Sequence, residues 1–182
     1  MIYVVRHGQT DLNRERKIQG RMGLPLNEYG IEQANVLRDE LKSINFDYVF
    51  SSPQKRAIQT AEIISGHKAI IDERLDVYDV GEADRIPIKE LKMNGFLPDK
   101  DVYKGVEEPN HFIKRVFSFM NEIEANYNKN ELNILIAGHR CTTGGIGAYF
   151  KGIPADGNIL KFSSDTGSYK TYYFLAREGA SK

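Results

Sequence analysis

Three short apolar segments, each directly followed by a polar cluster, constrain the fold more than any other feature of this sequence. They cover residues 2–5, 48–50 and 133–137. Their apolar residues do not alternate with polar ones, which is typical of strands buried on both faces of a sheet. Helical patterns separate them, so the sequence predicts an α/β fold: a single-domain three-layer sandwich with a mostly parallel central sheet, helices on both faces and an antiparallel edge.

Apolar residues spaced three and four apart predict the helices. The first follows Asn27, a suitable N-cap residue, and the second has Pro53 at its first position. A third covers 112–127, and a short one follows Gly144 and ends near 151–152. The side chains expected to face the core are Ile31, Ala34, Leu37, Leu41, Ile44, Ala57, Ile58, Ala61, Ile64, Phe112, Val116, Phe119, Met120, Ile123 and Tyr127.

The remaining segments predict the edges of the fold. Residues 69–71 indicate a third, short strand, whereas 72–109 are broken by Gly and Pro and favour a loop-rich cap insertion, with a helix possible over 89–93. Residues 159–162 and 169–175 flank a turn-like stretch at 165–168 and predict a closing hairpin that supplies the antiparallel edge. We therefore expect one domain over 1–182.

Composition excludes several classes of protein. Lys plus Arg and Asp plus Glu are 25 each, so the net charge is zero, which argues against nucleic-acid or membrane binding by bulk positive charge. With Cys141 as the single cysteine, no intrachain disulfide can form. No apolar run approaches the length of a spanning helix, and the apolar start is too short for a signal peptide. We expect a cytoplasmic protein; its oligomeric state stays open.

Histidines and arginines follow all three strand-like segments. Arg6 and His7 follow the first, Arg56 lies just beyond the second, and His139 follows the third. Because the carboxyl ends of parallel strands meet at one edge of a sheet, these side chains are expected to converge there. Helix N-termini after Pro53 and Gly144 would face the same place. An anion is the natural ligand of such a cluster.

The motifs around these residues resemble the histidine phosphatase superfamily, the phosphoglycerate-mutase-like enzymes. Together they cover most of residues 2–154, in order and at strand ends. The matching residues are Arg6-His7-Gly8-Gln9-Thr10 with Asn13, Gln19-Gly20, Pro25-Leu26, Gly30, Gln33-Ala34, Ser51-Ser52-Pro53, Arg56-Ala57, Thr60-Ala61 and Gly138-His139.

The resemblance implies a phosphoryl group that is transferred first to a histidine. His7 matches the nucleophile of the family, and Arg6, Arg56 and His139 match its clamp on the phosphoryl oxygens. The positions that match phosphate or substrate contacts are Asn13, Gln19 and Gly20. No metal or other cofactor is expected, because the arginines neutralise the charge.

One departure from the family pattern concerns the proton donor for the leaving group. Many relatives carry a Glu in a Leu-x-Glu segment, where this chain has Val77. Asp79 is the expected substitute and Glu82 the second choice, with Asp76 and Asp84 as further candidates. The alternative is that no residue donates, which would restrict turnover to good leaving groups.

Two further departures concern the walls of the site. Arg140 follows His139 where relatives commonly have a small residue, and it either enters the pocket to bind a second anionic group or points to solvent. Gly23 stands where many relatives have an acidic residue, which affects the shape of the loop. His67 and His111 are expected to be structural or solvated, and Cys141 a small buried apolar residue.

The function predicted from these residues is a metal-independent phosphatase. It would hydrolyse a small phosphorylated metabolite through a phosphohistidine at His7. Phosphoglycerate mutase-type transfer between substrate hydroxyls is one alternative. A phosphoanion-binding protein that lacks an efficient acid is the other, and Val77 is the feature that favours it.

Overall fold

The computed structural model describes residues 1–127 and 131–175, which form seven strands, five α-helices and several 3-10 turns. The strands are β1 (Ile2–Arg6), β2 (Tyr48–Ser51), β3 (Ile70–Ile71), β4 (Met93–Asn94), β5 (Leu97–Pro98), β6 (Ile134–Gly138) and β7 (Tyr169–Tyr172). The helices are α1 (Asp11–Arg14), α2 (Glu28–Glu40), α3 (Lys55–Ser65), α4 (Pro109–Tyr127) and α5 (Arg140–Lys151).

The central sheet has five strands in the order β3-β2-β6-β1-β7. The first four run parallel, and β7 pairs antiparallel with β1. The predicted α/β fold with a mostly parallel sheet and an antiparallel edge is confirmed. Since β6 and β1 lie inside the sheet and are paired on both sides, their apolar side chains are covered on both faces, as their sequences predict.

Two apolar cores, one on each face of the sheet, make the fold a three-layer sandwich. Alternate residues of a strand point to opposite faces. Val4 and Ile136 pack with residues of α4 and α5, whereas Val5 and Leu135 pack with residues of α2 and α3. The helices that follow the strands therefore shield both faces, and the carboxyl edge of the sheet is left for ligands.

The start of the last helix differs from the sequence prediction. Helix α5 begins at Arg140, directly after His139, and not after Gly144. Glycines have low helix propensity, which favoured a loop there. The structure gives the reason for them: a Cβ on Gly144 would lie 2.6 Å from the carbonyl oxygen of Ile159, and one on Gly147 would lie 2.4 Å from Cβ of Phe162. The glycines let the following segment pack directly on the helix.

The predicted closing hairpin is also wrong. Ile159–Phe162 is a 3-10 turn packed on α5, so β7 reaches the edge of the sheet without a hairpin partner. Close packing on a helix, which local pattern does not reveal, decides this conformation.

Smaller differences occur in three other segments. Pro53 lies before the N-cap Gln54 of α3, outside the helix. In α2, Ile31 is 38% exposed and does not face the core, and the helix ends before Ile44, which still packs against the core beside it. The helix considered for 89–93 is a 3-10 turn at Ile88–Glu90 followed by β4.

The segment from 72 to 109 crosses the carboxyl edge as short pieces. It contains three 3-10 turns and the antiparallel pair β4–β5, so it is as irregular as its Gly and Pro residues indicate, whereas its role as a cap insertion stays a prediction. In the part of the chain that the structure describes, we find no helix with the length and apolar character needed to cross a membrane.

Replacement of Ile136 by alanine tests the central core. Ile136 is fully buried on β6, so Ile136→Ala removes buried methyl groups from a tightly packed region, and we expect the free energy of unfolding to fall by about 2–5 kcal/mol. Urea denaturation measures the change. The matched control is Ile31→Ala, which removes the same atoms from a partly exposed position and should cost far less; equal losses would contradict the assigned layers.

Candidate active site

The two histidines meet because β1 and β6 are adjacent, parallel and in register. Arg6 pairs with Gly138, so the next residue of each strand, His7 and His139, leaves the sheet at the same level. Their ring centroids lie 5.2 Å apart, and both side chains are buried. The structure therefore brings these two predicted site residues together.

The backbone around His7 determines which ring nitrogen is free. Nδ1 lies 2.6 Å from the carbonyl oxygen of Gly8. A carbonyl can only accept, so Nδ1 carries the hydrogen and Nε2 keeps its lone pair. Burial, Arg56 and Arg6 hold the pKa of His7 well below its usual value, which keeps the ring neutral near pH 7. His7 thus presents a neutral ring whose Nε2 lone pair is free.

Gly8 is necessary for this arrangement. Its N–H donates to Oγ1 of Thr60 over 3.0 Å. A Cβ at this position would lie 2.4 Å from the carbonyl oxygen of Gly30 in α2, a contact that no larger residue can make. The close approach of this backbone to α2 and α3 holds the His7 ring in place.

His139 is oriented by Ser52, which follows β2. Its Nε2 lies 2.7 Å from Oγ of Ser52, and this oxygen accepts a hydrogen bond of 3.2 Å from the backbone N–H of Gln54. The serine hydroxyl can donate to Nε2, an arrangement that leaves the ring hydrogen on Nδ1, a buried atom with no partner among the described residues. Burial and Arg56 lower the pKa of His139 well below its usual value.

Arg56 lies in the first turn of α3 and is only 1% exposed. Nη2 donates to the carbonyl oxygen of Gly20 over 3.0 Å, and a Cβ on Gly23 would lie 2.0 Å from Nη1. Burial lowers the pKa of Arg56 to about 10, while the carboxylates of Asp76 and Asp84 oppose this shift. The guanidinium stays charged at neutral pH, and only glycine fits at position 23 against it.

Arg6 supplies a second, partly buried positive charge. Its Nη1 donates to the carbonyl oxygen of Ser164 over 3.1 Å. Burial and the nearby Arg140 lower the pKa of Arg6 to about 10, so it also remains charged. Nε of Arg6 and Nε of Arg56 are buried without a partner in the described chain. Unpaired buried donors beside positive charge create a strong preference for an anion.

A cavity of about 190 Å³ opens beside these groups. Arg6, His7 and His139 line its polar end, with Arg140 at its exposed rim. Arg56 lies behind this lining, near enough to influence both imidazoles but covered by the loop that contains Gly23. The cavity therefore combines a neutral imidazole with positive charge.

The residues expected to contact substrate through neutral hydrogen bonds take different positions. Asn13 and Gln19 line the cavity, whereas Gly20 does not. The Oδ1 atom of Asn13 accepts from the backbone of Thr10, and Gln19 bonds to the Thr10 hydroxyl and to the backbone N–H of Leu24. The carbonyl oxygen of Gly20 accepts a hydrogen bond from Arg56, so in this structure Gly20 helps to position that guanidinium.

The carboxylates considered as proton donors all lie outside the cavity lining. Asp79 accepts from the backbone N–H of Gly81 and pairs with Arg21 at 3.5 Å. Asp76 accepts from Gln54, and Glu82 accepts from the backbone of Lys104. Val77, by contrast, lines the cavity. The structure thus offers no support for Asp79 as the donor, and that role stays a prediction.

Arg140 and Cys141 both reach the cavity. Arg140 lines the rim of the cavity and is also exposed to solvent. It therefore has a feature of each alternative that the sequence left open, namely contact with the pocket and exposure to solvent. Cys141 is partly buried, and burial raises the pKa of its thiol to about 11, which keeps it protonated and weakly nucleophilic. A thiolate role for Cys141 has no support.

Several supporting residues were not assigned by sequence reasoning. Ser52 and Thr60 belong to recognised motifs, yet their bonds to His139 and Gly8 depend on distant segments. Asp84 binds the backbone N–H groups of Gly20 and Met22 at 2.8 and 3.0 Å and so shapes the loop over Arg56.

No group of three or more His, Cys, Asp or Glu side chains is placed for a metal ion within 1–127 and 131–175.

Inorganic phosphate is expected to stabilise the protein by occupying the buried positive site. At about 100 times the dissociation constant the gain is about 2.7 kcal/mol, or a rise in Tm of about 5–10 °C. Thermal scans with and without phosphate measure it. Arg56→Met should abolish the shift, while Arg38→Met, at a half-exposed arginine of α2, should keep it. An unchanged shift in Arg56→Met would contradict the assigned anion site.

Stability should fall as the pH drops below about 6.5. The pKa values of His7 and His139 are lowered in the folded protein. Below about pH 6.5, therefore, these two histidines bind protons only in the unfolded chain, and proton binding increases the unfolded population. From pH 7.5 to 5.5 each histidine accounts for about 1.4 kcal/mol. In urea denaturation, the change in unfolding free energy between these two pH values should be smaller for His139→Gln than for the wild type by the contribution of one histidine. The change for His67→Gln, at an exposed histidine, should match that of the wild type.

Comparison with known proteins agrees with this geometry. Residues 2–178 match the family described as histidine phosphatase superfamily (branch 1). The chain is 30% identical over 141 residues to the uncharacterized phosphatase PhoE of Bacillus subtilis, covering 76% of this chain and 70% of that protein. It is 39% identical over 87 residues to the probable phosphoglycerate mutase GpmB of Cronobacter sakazakii, covering 46% and 40%.

A solved structure shares the fold. The crystal structure of the alpha-ribazole phosphatase from Shigella flexneri superposes with a TM-score of 0.77 at 24% identity, covering 92% of this chain and 87% of that one. The family match extends over nearly the whole sequence and includes every strand and helix that surrounds the two buried histidines. The chain belongs to the histidine phosphatase superfamily.

Proposed function

We propose that the protein is a metal-independent phosphatase that hydrolyses a small phosphomonoester through a phosphohistidine at His7. The observation that carries the proposal is the hydrogen bond between Nδ1 of His7 and the Gly8 carbonyl, which leaves Nε2 with a free lone pair beside two buried guanidinium groups. A neutral, oriented nucleophile next to fixed positive charge is what attack on a phosphate dianion requires.

The first chemical step follows from this arrangement. Nε2 of His7 attacks phosphorus in line with the ester oxygen, the N–P bond forms and the O–P bond breaks. Arg6 and Arg56 offset the negative charge on the equatorial oxygens, and the Nδ1 hydrogen of His139 can donate to one of them. The positive charge that develops on the His7 ring is spread by its bond to the Gly8 carbonyl.

Water completes the reaction. It attacks the phosphohistidine, phosphate leaves, and His7 returns to its neutral form. The positive charge that a metal ion supplies in other phosphatases is provided here by side chains, which supports the metal-independent reaction. We therefore expect the rate to be unaffected by EDTA.

Hydrolysis is favoured over transfer between two substrate hydroxyls. A mutase must hold its phosphorylated intermediate and keep water out while the substrate reorients. Much of the cavity lining is apolar, and an apolar surface provides no partners for the hydroxyl and carboxylate groups of a phosphoglycerate. A mutase assay with 3-phosphoglycerate is expected to show no isomerisation.

Trapping of the phosphoenzyme tests the nucleophile. Wild-type protein quenched during turnover of p-nitrophenyl phosphate should carry phosphate that is labile to acid and stable to alkali. His7→Ala should form none and lose turnover by about 10⁴-fold or more. His67→Ala, which changes an exposed histidine outside the site, should keep both properties. Full turnover by a folded His7→Ala protein would refute the proposed mechanism, and phosphate binding without any turnover would favour a binding protein.

A further inference from the structure

Part of the cavity lining forms an apolar wall. The β4–β5 pair, its turn and the 3-10 turn before it contribute Ile88, Leu91, Met93, Phe96 and Leu97 to this wall. A sugar or glycerol group packed there would leave its hydroxyls without partners, which costs free energy for each one. An apolar ester group would be stabilised by the same contact.

No carboxylic acid borders the cavity within residues 1–127 and 131–175. The other proton-bearing groups of the lining are poorly suited to replace it. Lys17 is paired with Glu15 at 2.8 Å, and the hydroxyl of Tyr78 already donates to the backbone carbonyl of Glu107. Burial raises the pKa of the remaining lining thiol, Cys141, to about 11, which makes it a weak acid at neutral pH, so the leaving oxygen departs without an efficient proton donor.

The chemistry of the leaving group then selects the substrate. A phenol has a pKa of about 10. Aliphatic alcohols are much weaker acids, close to water at roughly 16. Without a proton donor, expulsion of an alkoxide is slower by many powers of ten than expulsion of a phenolate. Small acyl phosphates such as acetyl phosphate also carry good leaving groups, but they have little apolar surface to place against the wall.

The size of the cavity limits the ester group. Its volume is about 190 Å³. An apolar cavity of about 150 Å³ accommodates benzene in another protein, so this space, part of which the phosphoryl group takes, admits at most one aromatic ring.

We infer that the substrates of this site are aryl phosphates, in which a single aromatic ring lies against Ile88, Met93 and Phe96 while the phosphoryl group meets His7. This inference rests on the proposed function and adds the substrate class. In the first step the bond between phosphorus and the phenolic oxygen breaks, its electron pair leaves with the phenolate, and His7 takes the phosphoryl group. The phenolate takes its proton from bulk water after release.

Two esters of matched shape test the inference. Phenyl phosphate and cyclohexyl phosphate have rings of similar size, but only the first releases a phenolate. We expect kcat/KM for phenyl phosphate to exceed that for cyclohexyl phosphate by about 100-fold or more, the contribution of an absent general acid. A smaller preference, with turnover that still requires His7, overturns the inference and leaves the phosphatase proposal intact. Failure to hydrolyse either ester or acetyl phosphate overturns the proposed function itself.

Variants in the cavity lining test separately the contact with the apolar wall and the lack of a proton donor. Phe96→Ala should raise KM for phenyl phosphate by about tenfold, the value of an aromatic contact, and raise KM for acetyl phosphate by much less. Tyr29→Ala, at an exposed aromatic residue of α2, is the control.

Val77→Glu should lower the preference for phenyl over cyclohexyl phosphate by about tenfold or more relative to Val77→Gln. An unchanged preference, or equal KM effects on both small phosphates, would refute the inference.

Discussion

The in-register pairing of β1 with β6 is the constraint on which the site depends. The ladder continues beyond the strands, since the backbone N–H of His7 donates to the carbonyl of Gly138 and that of Ser52 donates to the carbonyl of Ala137, each over 3.0 Å. Three segments far apart in the chain therefore end at one level of the sheet. A slip of one residue would turn His7 or His139 to the opposite face.

Burial of charge gives this edge its chemistry. Arg6 and Arg56 are desolvated and repel each other, and burial together with this positive charge lowers the pKa of both imidazoles and keeps them neutral. Such a cluster weakens the empty protein, and a bound anion relieves the repulsion. The same field that favours a phosphate dianion thus also preserves the free lone pair of His7. Binding and nucleophilicity have a common electrostatic origin.

The carboxylates near the site serve the arginine and not the cavity. Asp76 and Asp84 oppose the loss of charge on Arg56, and Asp84 also holds the loop whose Gly23 covers it. Arg115 and Glu107 hold the neighbouring segment, because Arg115 donates to the carbonyl oxygens of Asp76 and Val77. This scaffold presents Val77, an apolar side chain, to the space beside His7.

The sequence by itself determined the alternation of buried strands and helices, and with it the meeting of His7, Arg6 and His139 at one edge, because the pattern of apolar residues specifies which segments lie inside a parallel sheet. It did not determine the start of α5, where glycines serve close packing against residues 159–162. Only the tertiary structure decided which groups around 76–84 face the cavity. That segment has no periodicity, so the direction of each side chain depends on partners such as Arg21, Gln54 and Arg115, which are distant in the chain.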